Sequence, residues 1–548
     1  MEVIYTYYFA VSRWLIPLFS LGLFILWLRY FIKLRKGHTV FAELVTKDGV
    51  SIPVISKENL IGRTKRADIL IPLQNVYPKH AILFVKKNRW FLAPLDGKIS
   101  VNLQNLTAPA PLDFGDKITI AKQTLTFKRA ETEEPLPRSF YAFWPMLVLT
   151  AIQLMVSISL MLRFTDTLDN AFLICFGLLI VGEWLYFCIG LFIKNFTMLA
   201  EIPALFMSTF GLAITVSVSP QNLFKQLVCF IIGILIYLLL TLLLRFPEFC
   251  EKLQRPLCLV ALALLYYTAF FGTEAGGARN WLNIGPLSLQ PSEICKPIFI
   301  FCGGKMLYSI VKHKALQLEF FIFGLLTMGA LAIMFDFGSA AIFLAGLLII
   351  LTLRLTRPIF VTGITVGALG GITVAIMVLP YVARRFSVWL HAWEYPDSLG
   401  YQQTRTLVAA ASGGLLGVGP GNGNLSYVSA ADTDLVFGIL SEEWGGILAV
   451  LVALCVGFIT IYALRLAKNS DNAFYTITAL ATAVMFIFQS CLNIFGSLDI
   501  LPLTGVTLIF VSRGGSSLIS ALVCMAFLKA AELHKRPISP WRYEDEVD

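Results

Sequence analysis

Charge is what this chain has least of: Asp, Glu, Lys and Arg make up 14% of its 548 residues against 57% hydrophobic ones, and mean hydropathy is +0.76. That excludes an ordinary soluble domain and implies a polytopic membrane protein. The ten cysteines show no CxxC or Cys/His spacing and mostly sit in apolar runs, as at Cys175, Cys229, Cys302, Cys455 and Cys524. Neither a disulfide framework nor a zinc site is indicated. The first apolar segment, Tyr8 to Tyr30, lacks a small-residue cleavage pattern and is too long for a signal peptide, so it reads as a retained anchor. The net charge of +9 comes from basic residues at the ends of apolar segments, as in KLRKGH after Tyr30 and KRP after His534. Membrane topology explains that pattern better than a nucleic-acid partner does.

Charged residues and turn signals concentrate in one soluble island, residues 34–138, between an anchor at 1–33 and the apolar remainder. Its segments alternate as in an all-β sandwich: HAILFVKKNRWFLAPL reads as a hairpin around Lys86 to Asn88, and KITIAKQTLTFKR reads as a second. Basic flanks place the island in the cytoplasm. Beyond Arg138 follow about twelve apolar stretches of crossing length, including 434 to 463 and 503 to 531, which makes about thirteen crossings in all. The N-terminus is then outside and the C-terminal tail, 534–548, inside, with loops 273 to 291 and 381 to 433 facing outward.

The stretch from Tyr401 to Gly446 puts glycine-rich backbone and carboxylates between long apolar segments. Hydrocarbon cannot satisfy exposed backbone polar groups, so this stretch must lie against protein or open to water at a membrane surface. Ionisable residues in such a place are expected to act on something.

Five motifs share one order along the chain: GGARNWLNIGPLSLQPSEICK (Gly276 to Lys296), FDFGSA (Phe335 to Ala340), YQQTRTLVAAASGGLLGVGPG, ADTDLVFGILSEEWG, and LPLTGVTLIFVSRGGSS (Leu501 to Ser517). Over roughly Glu201 to Leu533 they resemble the SEDS proteins, the FtsW, RodA and SpoVE group that polymerises peptidoglycan from lipid II. The resemblance implies a core of about ten transmembrane helices at 199–533, with a large extracellular loop at 381–433, and makes the pair at 139–198 an addition. LPLTG at 501 to 505 matches a sortase signal by pattern, but Arg513 and two glycines interrupt the apolar run after it. It is better read as this family's LPxTG before the last helix.

The implied activity is glycosyl transfer. A sugar hydroxyl is a poor nucleophile at neutral pH, so a carboxylate serving as general base is useful. Pyrophosphate leaves readily and needs cationic stabilisation more than a proton. By resemblance the base is Asp434, in a segment that reads Ser-Ala-Ala-Asp-Thr-Asp (Ser429 to Asp434) where the family usually has Pro-Glu-Ala-His-Thr-Asp. Ala430 and Asp432 are departures, and Asp432 is the competing carboxylate. An Asp at a helix start also suits capping, and both roles can coexist. If a helix starts near Asp434, Ser441 falls on about the same face, and Glu442 about 80° around it, so Glu442 is a further substrate-binding candidate and Glu442 or Glu443 can orient polar groups near the loop.

Further substrate-binding candidates are Arg279, Lys296 and Arg405 as cations for pyrophosphate or a glycan carboxylate, and Gln402 from the same YQQTRT motif as Arg405. Arg384 and Arg385 suit that task and interfacial anchoring equally. Glu293 and Lys296, three apart at a helix start, can meet on one face as a structural ion pair or in a cavity. Asp336 stands where the family has an acidic residue, and Arg513 where it often has Tyr. The glycine pairs at 413–414, 417–419 and 514–515 suit close helix approach or strained loops.

In the island, IGRTKRADILIP, VYPKHA, Asn102 and FGDKITI resemble a forkhead-associated (FHA) domain, a phosphothreonine reader. The resemblance places Arg63, His80 and Asn102 at phosphopeptide-binding positions, with His80 mainly supporting the loop. Tyr77 replaces the serine that normally contacts phosphate. Arg63 can still pair with phosphate, and a degenerate module docking an unphosphorylated partner is the alternative.

The implied partners are lipid II, undecaprenyl-pyrophosphate-linked glycan, a class B penicillin-binding protein and a Ser/Thr-phosphorylated protein. The chain shows no SxxK, SxN and KTG set of a transpeptidase of its own. Division, elongation and sporulation enzymes share these motifs, which prescribe no cofactor and are compatible with a divalent cation. Two rival readings stay open: a flippase or transporter for the same lipid, and a catalytically silent membrane scaffold that responds to phosphorylation.

Overall fold

In the computed structural model, residues 2–533 are described apart from 37–41, 48, 55–57, 64–66, 87–88, 122, 130–140, 165–170, 194–195, 245, 276, 285–286, 308–313, 354–357, 469 and 471. The tail at 534–548, assigned above to the cytoplasm, lies outside the described residues. The chain divides into a helical body, residues 1–29 with 139–534, and a second body within 30–138.

The second body is two antiparallel-dominated sheets. Its strands are β1 (Ala42–Thr46), β2 (Ser51–Val54), β3 (Glu58–Gly62), β4 (Ile69–Leu70), β5 (Ala81–Lys86), β6 (Arg89–Pro94), β7 (Ile99–Val101), β8 (Gln104–Leu106), β9 (Ala110–Leu112), β10 (Lys117–Ile120) and β11 (Gln123–Arg129). One sheet runs β2-β1-β11-β10-β7-β8 and the other β4-β3-β5-β6-β9. Period-2 alternation buries Leu44, Ile118, Ile120, Leu125 and Phe127 from the first against Ile61, Leu83 and Leu92 from the second. Both hairpins read from the sequence form, with Lys86 opposite Arg89 and Ile120 opposite Gln123. The apex of the first lies outside the described residues.

The helical body opens with α1 (Glu2–Lys36), whose Trp27 indole N–H donates to the Leu199 carbonyl at 2.9 Å. Then come α2 (Phe143–Arg163), α3 (Ala171–Leu191), α4 (Glu201–Val218), α5 (Leu223–Leu243), α6 (Pro247–Phe271), α7 (Pro291–Met306), α8 (Lys314–Ile333), α9 (Phe337–Thr352) and α10 (Pro358–Val378). After these lie α11 (Pro380–Val388), α12 (Tyr401–Gly413), α13 (Val436–Ile439), α14 (Gly446–Lys468), α15 (Ala473–Ser497) and α16 (Gly515–Leu533). Among the described residues nine helices are long and apolar enough to cross a bilayer, or ten if the bent α10–α11 pair is one span. Shorter apolar helices at 318–333 and 337–352 add to these. This is a multi-pass membrane protein.

Between α6 and α7, the expected loop is a three-stranded antiparallel sheet of β12 (Thr273–Ala275), β13 (Ala278–Ile284) and β14 (Leu287–Leu289). The expected loop at 381 to 433 is likewise ordered by α11 and α12. Two expected crossings start about a dozen residues late: a four-residue helix and a π-turn stand before Gly446, and residues 501–514 before Gly515 form turns instead of helix. Gly515 shows why glycine suits such a start: a Cβ there would lie 2.6 Å from Cys229 Sγ of α5.

Candidate active site

Three segments without regular crossing helices meet at a cavity of about 1140 Å³: residues 429–434, residues 501–517, and α11 with the start of α12. Asp434, Thr433, Ser429 and Gln402 line it with Asp336, Arg385, Arg513, Thr507, Ser516 and Ser517. Its other wall is apolar, built from α8, α9 and α10 by Leu325, Leu344, Leu347, Ile364, Ala368 and Ile372. One end therefore suits a polar group and the other a hydrocarbon chain.

Asp434 sits in a tight turn after Ala430, which adopts φ 60° and receives the Thr433 and Asp434 amides at 3.2 and 2.9 Å. Asn493 of α15 clamps the turn, its side-chain amide donating to the Asp434 carbonyl (3.0 Å) and the Val506 carbonyl (2.7 Å). Across from it, Gly505 (φ 70°) brings bare backbone so close that a Cβ there would lie 3.3 Å from Asp434 Oδ2. Burial pushes the Asp434 carboxyl up to about 6, with the Asp432 charge adding to it and Thr433 and Arg385 working against it. A carboxylate with that proton affinity is well matched to proton transfer near neutral pH. Its side chain does not cap α13, whose N-cap is Leu435 without a side-chain bond.

The helical-wheel expectation for Ser441 and Glu442 is corrected. After four residues, α13 widens into a π-turn, Leu440–Trp444, which removes the 100° step on which the expectation rests. Glu442 does not line the cavity: its carboxylate accepts the Asn424 and Leu425 amides at 2.9 and 3.0 Å. Glu443 accepts the Gly421 amide at 3.1 Å. These two acids shape the glycine-rich loop, in which Gly414, Gly417, Gly419 and Gly421 take positive φ, so those glycines serve loop backbone where Gly515 serves helix packing.

Glu293 and Lys296 form a buried ion pair at 2.7 Å in α7, beneath the cavity and not in its wall. Lys296 Nζ donates to Gln489 Oε1 at 2.8 Å, and the Gln489 amide donates to the Thr507 carbonyl (2.9 Å) and hydroxyl (3.1 Å). A polar chain thus connects the pair to a lining residue. Asp336 does line the cavity, where it caps α9 by accepting the Ser339 amide at 3.0 Å and also accepts from Ser292. Arg279 lies outside, 3.7 Å from Glu274 and half exposed, although its neighbours Ala278 and Asn280 reach the cavity. Arg405 faces Asp397 at 3.7 Å and stacks over Tyr401, away from it. Gln402 lines the cavity and donates to the Ser429 carbonyl at 3.0 Å. Gln489, Asn493, Thr507 and Ser517 escape sequence reasoning because each is an uncharged polar residue within or beside an apolar run. That mismatch with hydrocarbon was their available signal.

In the sandwich, the His80 ring accepts the Tyr77 amide (3.2 Å) and bonds the Lys98 carbonyl (3.2 Å), so it braces two loops. Asn102 is engaged with Asp116 and the Lys117 amide at 2.8 and 3.0 Å. Arg63 donates to the Gln74 carbonyl at 3.2 Å at the surface, beside the half-exposed Tyr77. Among the described residues no three His, Cys, Asp or Glu side chains converge as a metal site.

Residues 183–537 match the FtsW/RodA/SpoVE family model, described as "Cell cycle protein", and residues 59–121 match the FHA domain model. Over 53% of this chain and 77% of the relative, the sequence is 34% identical to a probable peptidoglycan glycosyltransferase FtsW of Nitrosococcus halophilus. It is 31% identical to the FtsW of Buchnera aphidicola subsp. Acyrthosiphon pisum, over 55% and 78%. A solved structure described as "Structural coordination of polymerization and crosslinking by a peptidoglycan synthase complex" aligns with 62% of this chain and 98% of its own, at 26% identity and a TM-score of 0.52.

Proposed function

The chain belongs to the FtsW/RodA/SpoVE family of cell cycle proteins, and from that premise we propose that it is a peptidoglycan glycosyltransferase which joins lipid II units into glycan strands. The observation that carries the reading is the setting of Asp434: a carboxylate of raised proton affinity on the wall of a large, half-apolar cavity that also holds Arg385 and Arg513. The hydroxyl of one lipid II gives its proton to Asp434 as its oxygen bonds the anomeric carbon of the growing strand. The bond from that carbon to pyrophosphate breaks, and the electron pair leaves with the pyrophosphate oxygen, which the arginines stabilise. The apolar wall accommodates the prenyl tail.

A class B penicillin-binding protein that crosslinks the product is the natural partner, given that the solved relative belongs to a synthase complex named for polymerisation and crosslinking. We place the FHA-like sandwich and the C-terminal tail in the cytoplasm, and the cavity's polar end at the outer surface, from the basic flanks of the island. The sandwich reads a phosphothreonine partner through Arg63, with His80 and Asn102 holding the recognition loops.

The test is polymerisation by the purified protein with lipid II and the partner, wild type against Asp434→Asn. Glycan polymer is expected from the wild type and a loss of about 10²–10⁴-fold from the variant. Equal polymer from both overturns Asp434 as base. Movement of labelled lipid without polymer supports a transporter, and no turnover with any partner supports a scaffold.

A further inference from the structure

We propose that Asp432 and Arg513 form a clasp that holds one guanidinium edge in the cavity as a fixed contact for the phosphate-bearing end of the lipid substrate. Arg513 belongs to the turn before α16, and its Nε and Nη2 both engage the Asp432 carboxylate. Asp432 is itself buried and does not line the cavity, whereas Arg513 lines it with 35% of its side chain exposed. The carboxylate also accepts from Ser219 Oγ at the end of α4, at 2.7 Å. Backbone and neighbour bonds fix the same junction: the Arg513 amide donates to the Asp432 carbonyl at 2.8 Å, and Ser512 Oγ to the Thr433 carbonyl at 2.6 Å.

A side-on pair of this kind occupies Nε and one Nη2 hydrogen. Among the described residues Nη1 makes no hydrogen bond, so its two donors remain for a ligand in the cavity. Guanidinium keeps its charge throughout the physiological range, and its planar fork matches phosphate oxygens. The clasp also ties Arg513 to the turn that carries Asp434, two residues on, so an anion held by Arg513 is referenced directly to the proposed base. Arg513 is a binding residue in this scheme and Asp432 a positioning residue.

Two departures noted in the sequence thus prove to be one feature. A lone Asp432 would be an uncompensated buried charge, whereas the pair is neutral. The inference rests on the glycosyl-transfer reading for what enters the cavity, and its test separates the two.

Binding of undecaprenyl pyrophosphate to full-length protein in nanodiscs is compared with binding of undecaprenol, which lacks the phosphates. For Arg513→Gln the pyrophosphate lipid is expected to bind about tenfold more weakly, the lower range for losing a hydrogen bond to a charged group, with undecaprenol unchanged. Arg513→Lys, which keeps charge without the fork, should recover part of the loss. The double variant Asp432→Asn with Arg513→Gln removes both charges, which protects folding, and should bind as weakly as Arg513→Gln. In polymerisation, the KM for lipid II should rise in these variants more than kcat falls. Wild-type affinity for the pyrophosphate lipid in Arg513→Gln and in the double variant overturns the clasp. A wild type that binds the lipid but makes no polymer overturns the transfer reading and leaves the binding comparison decisive for the clasp.

Discussion

Ion pairs stand near both ends of helices α4 and α16, and the two ends treat charge differently. At one end Lys529 of α16 lies 2.8 Å from Glu201 of α4 and 3.0 Å from Glu532, while Tyr237 donates to Glu201 at 2.8 Å and the Thr197 amide to Glu532 at 2.5 Å. None of these residues lines the large cavity. At the other end Ser219 follows α4 and Arg513 precedes α16, and there the charges border open volume: Asp434, Arg385 and Arg513 have a face toward the cavity. Ion pairing alone does not distinguish the ends, since both have it. What differs is donor and acceptor capacity left facing space that a substrate can fill, and this separates a site from a brace.

The comparison breaks most sharply by exchanging what each end loses. Asp434→Asn should remove nearly all polymerisation while thermal unfolding in micelles stays near wild type. The sign of the pH dependence follows from the same carboxyl. A base must be deprotonated, so with its proton affinity raised to about 6 the wild-type rate should fall about tenfold per pH unit below that value and level off above it. A flat profile between pH 5 and 7 would remove Asp434 from proton transfer. Lys529→Met should do the opposite, lowering stability by roughly 3 kcal/mol through two unpaired carboxylates, with the KM of the surviving folded protein unchanged. A large KM change there would erase the distinction between the ends.

The sequence made the crossing helices legible because hydropathy over about 20 residues is a strong signal. The hairpins of the island were legible from period-2 alternation around polar turns. Asp434 was legible by motif, whereas its neighbours were legible only in part. Glu442 reads as a site residue only if a regular α-helix runs through Leu440–Trp444, where the chain instead forms a π-turn. Arg513 is visible in the sequence only as a departure from the family's Tyr, because its partner lies 81 residues away, a pairing no local periodicity reveals. Arg279 and Arg405 have the charge and motif position of site residues, yet a side chain's direction at a sheet edge or helix surface decides whether it reaches the cavity, and theirs do not.

Glu442 offers a finer probe, since it lies near the site and is built like the brace. Glu442→Gln leaves one acceptor for the two amides of Asn424 and Leu425, a loss of roughly 1.5–3 kcal/mol. Stability should fall by that amount, and the acidic limb of the pH profile should stay where it is in wild type. A shifted limb would return Glu442 to the site as an electrostatic partner of Asp434.

Gly505→Ala sharpens the contrast at its smallest scale, because one methyl group separates two kinds of cost. With φ at 70°, a side chain is strained there by about 1–2 kcal/mol whatever surrounds it. The nearest atom to the new Cβ is Asp434 Oδ2, at 3.3 Å, tight enough that the carboxylate must give by a few tenths of an ångström. Strain alone would lower the unfolding temperature and leave kcat untouched. Displacement of the base would lower kcat as well, since reacting groups tolerate little misplacement. The expected outcome is both, with kcat reduced by more than the fraction of unfolded protein explains. An unchanged kcat in the folded fraction would mean that the LPLTG turn acts only as backbone and that Asp434 takes its position from Asn493 and the Ala430 turn.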